Sequence, residues 1–249
     1  MPVLELRDVV KRYGDGPTEV AALDRVSLAV DEGEMVAVMG PSGSGKSTVL
    51  HLAAGLEPVT AGQVCVRGRD LSGRSAVELA ALRRRELGVV FQRYNLVPTL
   101  TAVENVLLPL EFDGRPRRAA RALAEAALAR VGLSRPYDRF PDDLSGGEQQ
   151  RVAVARAVAG ERRLILADEP TGALDTITGD LVVELLASLR DDGVAVVLVT
   201  HEPRFASWAD RAVFLRDGAV VDRTAAAPRA AVATAASTDL DVAGAGGGR

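Results

Sequence analysis

The chain has little cysteine, no long apolar run and no N-terminal targeting pattern. Its single cysteine, Cys65, excludes an internal disulfide. No stretch approaches the roughly 20 apolar residues that a membrane-spanning helix needs. The segment from Met1 to Glu5 shows neither the basic region nor the apolar core of a signal peptide. These absences favour a cytosolic protein.

Histidine and net positive charge are also scarce. The two histidines, His51 and His201, belong to no cluster with metal-ligand spacing, so no zinc site is expected. The formal net charge of −4 argues against a nucleic-acid-binding surface, and we expect no nucleic-acid partner. The run Arg83-Arg84-Arg85 lacks an aromatic platform for bases, so we interpret it as a solvated helix face.

Lysine is rare, and its position is informative. Of the 30 basic residues only Lys11 and Lys46 are lysines. Lys46 follows a predicted strand, Met35 to Met39, and begins a predicted helix that runs to Gly55. A strand, a glycine-rich loop and a helix form a phosphate-binding loop, since glycines let backbone N–H groups approach phosphate oxygens. The residues predicted to bind nucleotide here are Gly40, Pro41, Ser42, Gly43, Ser44, Gly45, Lys46, Ser47 and Thr48. We expect Lys46 to contact the β and γ phosphates and Ser47 to ligate Mg²⁺.

A second apolar strand, predicted from Leu164 to Ala167, ends in two carboxylates. A lone carboxylate such as Asp168 would be costly to desolvate there, and a magnesium ion would offset that cost. Because strand side chains alternate, we expect Asp168 to bind the metal and Glu169 to point elsewhere, as the general base for the attacking water. The alternative is a helix N-cap before Pro170.

Two further polar residues follow predicted strands. Gln92 comes after Val89 to Phe91, and His201 comes after Val194 to Val199, at strand ends where α/β sites collect. Taken alone, a glutamine there is more often a surface residue, and a histidine is as often an ordinary loop residue.

A second glycine-rich segment, Leu144-Ser145-Gly146-Gly147-Glu148, leads into a predicted helix. Free backbone N–H groups and the helix dipole make such a turn another anion site. One triphosphate does not need two such cradles in one chain. Two chains that face each other need both anion sites, because the second site of each chain encloses the nucleotide of the other chain. The sequence therefore predicts a dimer.

At these residues the chain resembles the ATP-binding cassette (ABC) family of transporter ATPases, over about residues 3–223. In chain order the resemblance rests on Tyr13, the phosphate loop, Gln92, the Ser-Gly-Gly signature, the acidic strand end, the turn Ala173-Leu174-Asp175 and His201. The segment from Phe91 to Thr101, followed by Glu104-Asn105-Val106, is similar to the lipoprotein-release, macrolide-export and cell-division branch. Glu148 stands where many relatives have glutamine, and Ala173 where the lipoprotein-release branch usually has asparagine.

The resemblance implies roles for individual residues. It implies that Tyr13 stacks on adenine, that Gln92 contacts magnesium and the lytic water, and that His201 contacts the γ phosphate. It places Asp175 at a dimer seam, and the segment Ser145, Gly146, Gly147 and Glu148 against the ATP of the other subunit. ATP and Mg²⁺ are the implied ligands. The implied partners are a second copy, or a homologous subunit, and a separate membrane permease, which would hold the chain on the inner face of the cell membrane.

The expected fold is α/β. It comprises a RecA-like P-loop NTPase core with an N-terminal antiparallel β subdomain and a helical subdomain inserted at about residues 96–160. We expect this domain to span residues 1–224 and the Ala/Gly-rich residues 225–249 to be disordered. One alternative is a soluble ABC ATPase acting on nucleic acid or ribosomes, which usually carries a long coiled coil or two cassettes. The other is a P-loop GTPase or small-molecule kinase, neither of which has a Ser-Gly-Gly signature.

Overall fold

The computed structural model describes residues 2–133, 135, 137–172 and 174–224. The predicted tail, residues 225–249, and Ala173 of the predicted turn lie outside the described residues. The strands are β1 (Leu4–Tyr13), β2 (Val20–Val30), β3 (Met35–Met39), β4 (Ala61–Val66), β5 (Arg69–Asp70), β6 (Leu87–Val90), β7 (Leu164–Asp168), β8 (Ala195–Val199), β9 (Arg211–Arg216) and β10 (Ala219–Arg223). The helices are α1 (Lys46–Ala53), α2 (Ala76–Arg85), α3 (Ala102–Phe112), α4 (Arg117–Arg130), α5 (Gly146–Val158), α6 (Thr176–Ser188) and α7 (Pro203–Ala206).

The larger sheet has the strand order β10-β9-β3-β8-β7-β6, and its neighbours are parallel except in the β9–β10 hairpin. Every residue of β3, β7 and β8 is buried, as expected for parallel strands covered on both faces. Val199 pairs with both Val38 and Asp168. The carboxyl ends of these three strands therefore meet at one edge of the sheet, and this confirms the predicted α/β core.

The smaller sheet has the order β2-β1-β4-β5, and its strands are antiparallel. It forms from the N-terminal segments, as predicted. Strand β1 runs on to Tyr13, so the sheet carries that aromatic ring to the neighbourhood of the phosphate loop.

Helices α3, α4 and α5 pack against one another in a separate layer. The buried stripe of α4 consists of Ala120, Ala124, Ala127 and Leu128, at helical spacing. Helices α3 and α5 both begin with a capping box, in which a Ser or Thr and a Glu three residues later satisfy each other's backbone N–H groups. These boxes make the start of α5, the Ser-Gly-Gly signature, a sharply defined helix N-terminus.

Two apolar clusters cover the faces of the larger sheet. Alternation along β7 sends Ile165 and Ala167 to the side of the helical layer, and Leu164 and Leu166 to the side of α1 and the smaller sheet. None of the helices in the described part of the chain is long and apolar enough to cross a membrane.

The arginine run differs from its sequence interpretation. Arg83 donates hydrogen bonds to the carbonyls of Ala54 and Gly55, and the Nε of Arg84 is buried. Arg85 is exposed and pairs with Asp113 at 2.6 Å. The prediction of a solvated face is wrong for Arg83 and Arg84, because α2 turns them toward the end of α1 and the start of β6.

Candidate functional site

A cleft of about 550 Å³ lies at the carboxyl ends of β3, β7 and β8. It brings together residues from distant parts of the sequence, and its lining is Ala22, Ser42, Gly43, Gly45, Lys46, Ser47, Thr48, Gln92, Asp168, Glu169 and His201. The other predicted loop residues, Gly40, Pro41 and Ser44, form the turn behind this lining.

The glycine-rich loop is shaped by close backbone approaches. Gly40 and Gly45 have φ of 149° and 98°. A Cβ at Gly40 would overlap the carbonyl oxygen of Leu215, and one at Gly45 would overlap that of Ala22. Gly45 lies at the N-terminus of α1, so its lack of a side chain lets the helix start against β2.

The buried Lys46 holds this loop closed. Its ammonium donates to the carbonyl oxygens of Gly40 at 2.8 Å and Pro41 at 2.7 Å. It is the first residue of α1, whose free N–H groups and dipole favour an anion in the cleft. The charge of Lys46 and the N-terminus of α1 therefore both favour an anion at the same place in the cleft.

Asp168 is a buried carboxylate at the end of β7. Burial raises its pKa, while a hydrogen bond from Ser47 and the nearby charges of His51 and Lys46 oppose that rise. The described residues contain no group of three or more His, Cys, Asp or Glu side chains that could hold a metal. One carboxylate beside one hydroxyl suits Mg²⁺, which proteins usually bind through one or two carboxylates together with substrate phosphates and water.

Glu169 lies beyond the end of β7, in a left-handed conformation with φ of 43°. The alternation expected along the strand therefore does not apply to it. Its backbone N–H donates to the Val199 carbonyl at 3.0 Å, and its carboxylate lies 3.0 Å from His201 Nδ1. The side chains of Asp168 and Glu169 both line the cleft, and Glu169 is paired with the predicted histidine.

Gln92 is exposed and lies two residues after β6, which ends at Val90. The parallel pairing of β6 with β7 brings its side chain to the same cleft as Asp168. The structure thus places Gln92 opposite the phosphate loop.

Tyr13 stands beside the cleft and is held by a carboxylate that the sequence interpretation missed. Its hydroxyl donates to Glu57 at 2.7 Å, and Lys11 lies 3.2 Å from that carboxylate and 4.8 Å from the ring centroid. His51 lies 3.2 Å from Glu57 through Nδ1. A hydrogen bond with Thr48 connects Tyr13 to the cleft. No local pattern identifies Glu57, because β1 and the segment after α1 meet only in the folded chain.

The Ser-Gly-Gly signature lies apart from this cleft. Ser145 caps α5, Glu148 closes the capping box, and Arg139 donates a short hydrogen bond to Glu148. That bond and the Ser145 N–H lower the pKa of Glu148 to about 2. Ser145 and Gly146 are exposed, so the start of α5 presents free N–H groups on the surface.

Asp175 caps α6 and also lies outside the lining of the cleft. Its carboxylate accepts hydrogen bonds from the Thr178 N–H at 3.0 Å and the Thr178 hydroxyl at 2.8 Å. These bonds lower the pKa of Asp175. The side chain is exposed at the start of the helix, where a neighbouring molecule can reach it.

Comparisons with known proteins agree with this geometry. The family model described as ABC transporter matches residues 23–172. The chain is 45% identical over 220 residues to the macrolide export ATP-binding/permease protein MacB of Hyphomonas neptunium, covering 88% of this chain and 34% of that protein. It is 43% identical to an uncharacterised ABC transporter ATP-binding protein of Methanocaldococcus jannaschii, covering 88% of this chain and 98% of that one. The chain thus spans about a third of the MacB relative and nearly all of the archaeal one.

Solved structures include a dimer of the ATP-binding cassette MJ0796 in a post-hydrolysis state bound to ADP and Pi. It matches with a TM-score of 0.86 and 41% identity, over 90% of this chain and 99% of that one. The cleft, the two glycine-rich segments and these matches lead to one conclusion: the chain belongs to the ABC transporter family, as one of its ATPase cassettes.

Proposed function

We propose that this chain powers a separate membrane permease, of export, lipoprotein-release or force-transmitting type, through ATP-driven head-to-tail dimerisation. The observation that carries the proposal is the separation of the two anion sites. The cleft unites Lys46, Asp168 and Glu169, whereas the exposed start of α5 is not part of its lining. A nucleotide in the cleft is enclosed fully only when a second chain supplies its Ser145 segment.

ATP binds in the cleft with its phosphates on the loop from Gly40 to Thr48. Lys46 exchanges its two loop carbonyls for phosphate oxygens, and Tyr13 stacks on the adenine. Ser47, Gln92 and Asp168 would hold Mg²⁺, and the ion would supply positive charge to the phosphates.

Glu169 acts as the general base for the attacking water. His201 donates from Nδ1 to that carboxylate, which orients the base beside the γ phosphate. Gln92, on the opposite wall, positions the water. These three residues lie at the ends of three different strands. The rate of ATP hydrolysis therefore changes when the Gln92 segment moves relative to the other two residues.

In the dimer, Ser145, Gly146, Gly147 and Glu148 of one chain close on the γ phosphate of the other. The Arg139–Glu148 bond keeps the Glu148 carboxylate within its own chain, so the helix N-terminus remains available to the anion. Asp175 lies at the seam. The dimeric state of the MJ0796 cassette supports this arrangement.

The membrane partner docks on an apolar groove of about 370 Å³ between α2, α3 and β6. Phe112, 68% exposed, and Leu56, 42% exposed, line this groove together with Phe91 and Pro109. An exposed apolar groove next to the Gln92 segment suits a docking site that reports to the cleft. The chain would then lie on the inner face of the cell membrane.

Glu169→Gln tests the proposal. The variant should bind ATP, hydrolyse it very slowly and accumulate as a dimer, because the amide cannot take the proton of the attacking water. Light scattering with Mg-ATP measures the dimer. Glu202→Gln, which changes a neighbouring carboxylate paired with Arg204, is the matched control. A Glu169→Gln variant that remains monomeric, or hydrolyses ATP normally, contradicts the proposal.

A mixing experiment tests the head-to-tail geometry. Lys46→Ala should lose nucleotide affinity, and Ser145→Arg should keep it while blocking the composite site. Each variant alone should be inactive. A stoichiometric mixture should recover turnover, because a heterodimer contains one intact composite site. If dimers form in the mixture without any recovery, the two segments do not share a nucleotide.

A further inference from the structure

Arg162 is a buried cation without a hydrogen-bond or ion-pair partner among the described residues. It lies between α5 and β7, is 7% exposed, and its Nε has no hydrogen-bond partner. Its side chain makes no hydrogen bond or ion pair with any other described residue. Burial lowers its pKa to about 10, so it remains charged at neutral pH. The nearby charge of Asp113 opposes that fall only in part, and a buried charge without a bonded partner is costly to keep in a fold.

The described residues around Arg162 supply more positive charge, and their carboxylates are already paired. Arg162 lines a pocket of about 300 Å³, which we call the arginine pocket; its described lining is Arg67, Arg84, Arg85, Glu86, Leu110, Asp113, Arg115, Glu161, Arg162 and Arg163. Each carboxylate in this lining already has an arginine. Glu86 pairs with Arg67 and Arg69, Asp113 with Arg85, and Glu161 with Arg115.

Arg84 resembles Arg162 in having a buried guanidinium nitrogen without a hydrogen-bond partner among the described residues. Its Nε is also buried without a partner, although Arg83 and Arg85 on either side are bonded. Both Arg84 and Arg162 line the arginine pocket and the apolar docking groove. Their guanidinium groups therefore stand where the polar pocket opens into the groove.

We propose that the arginine pocket binds a carboxylate through Arg84 and Arg162, and that an acidic side chain of the docked permease segment supplies it. A guanidinium pairs with a carboxylate through two parallel N–H···O bonds. The segment carries apolar side chains that fill the groove and, next to them, an Asp or Glu that enters the pocket. This inference rests on the proposed permease docking.

The isolated chain gives the first test. Arg162→Met keeps the length of the side chain and removes the unpaired charge, so its Tm should equal or exceed that of the wild type. Arg121→Met is the matched control, because Arg121 lies outside the arginine pocket, is 45% exposed and pairs with Glu125 at the surface. A clear fall in Tm for Arg162→Met alone means that Arg162 holds the fold together, and this overturns the proposal.

Glutarate, a free dicarboxylate, serves as the probe for the pocket. With the nucleotide site saturated by Mg-ADP and ionic strength matched with chloride, glutarate should raise the Tm of the wild type and of Arg121→Met. It should not raise the Tm of Arg162→Met or Arg84→Met. Equal responses in all four proteins show that the pocket binds no carboxylate, and this overturns the proposal.

The complex with the permease tests the source of the carboxylate. Arg162→Met should raise the Kd for the detergent-solubilised permease about 30-fold or more. This is the effect expected when one member of a buried charge pair is truncated. Arg121→Met should leave the Kd unchanged. An unchanged Kd for Arg162→Met overturns the assignment to the permease. If the wild type itself binds no permease, the proposed docking fails, and the glutarate result alone decides whether the pocket binds a carboxylate.

Discussion

Two glycines of the phosphate loop, Gly43 and Gly45, offer a matched pair of substitutions. Both have positive φ, 78° and 98°. A Cβ at Gly43 would meet nothing within 4 Å, whereas one at Gly45 would overlap the Ala22 carbonyl and lie 2.7 Å from Leu23 Cδ2. Gly43→Ala therefore adds backbone strain only, and Gly45→Ala adds the same strain and a collision with β2.

The difference in stability follows from these contacts. Positive φ costs a non-glycine residue about 1–2 kcal/mol, and overpacking adds about 1–3 kcal/mol. We expect Gly45→Ala to lower the free energy of unfolding by about 2 kcal/mol more than Gly43→Ala. For a chain of this size, that corresponds to a Tm about 4–8 °C lower.

Thermal unfolding by circular dichroism, without nucleotide, measures this difference. The absence of nucleotide matters, since both glycines line the cleft and both substitutions are expected to reduce ATPase activity. Equal Tm values for the two variants, or a lower Tm for Gly43→Ala, would refute the view that Gly45 is required by its approach to β2.

Three further outcomes are expected. Glu57→Gln weakens the hold on Tyr13 and should raise the KM for ATP about fivefold, or about 1 kcal/mol, with kcat little changed; a fall in kcat alone would contradict this. Because the folded-state pKa of Glu148 is about 2, below its ordinary 4.5, its contribution to stability is present above pH 4.5 and is lost as pH falls toward 2. At a side chain 22% exposed this amounts to about 2 kcal/mol, so unfolding free energies should converge at low pH for wild type and Glu148→Gln. Leu96→Asp should lower the Tm of the isolated chain by burying a charge against the core, and an unchanged Tm would place Leu96 on a free surface.

The Leu96 segment shows what can be predicted from the sequence and what cannot. Taken from the sequence alone, the loop after Gln92 suggests a docking surface, because it contains apolar residues without an obvious partner nearby in the chain. In the structure the buried Asn105 bonds the backbone of Val97, Leu100 and Thr101, and Leu96 packs on the core. These contacts favour a packing role for Leu96, whereas the exposed side chains of Phe112 and Leu56 line the nearby groove.

The sequence by itself determined the features that depend on a few consecutive residues. The glycine spacing before Lys46, the apolar run before Asp168 and the Ser-Gly-Gly helix start each carry their own geometry, because a loop or helix cap is set by local backbone freedom and hydrogen bonding. The parallel core and the cleft follow from the order of such elements.

Only the tertiary structure decided which side chains face one another. The pairing of Glu169 with His201, the support of Tyr13 by Glu57 and the isolation of Arg162 each depend on residues from separate strands and helices. The charge of Arg162 was visible in the sequence, but its burial without a bonded partner among the described residues was not. Burial and pairing are properties of packing, and packing brings together residues that the sequence keeps far apart.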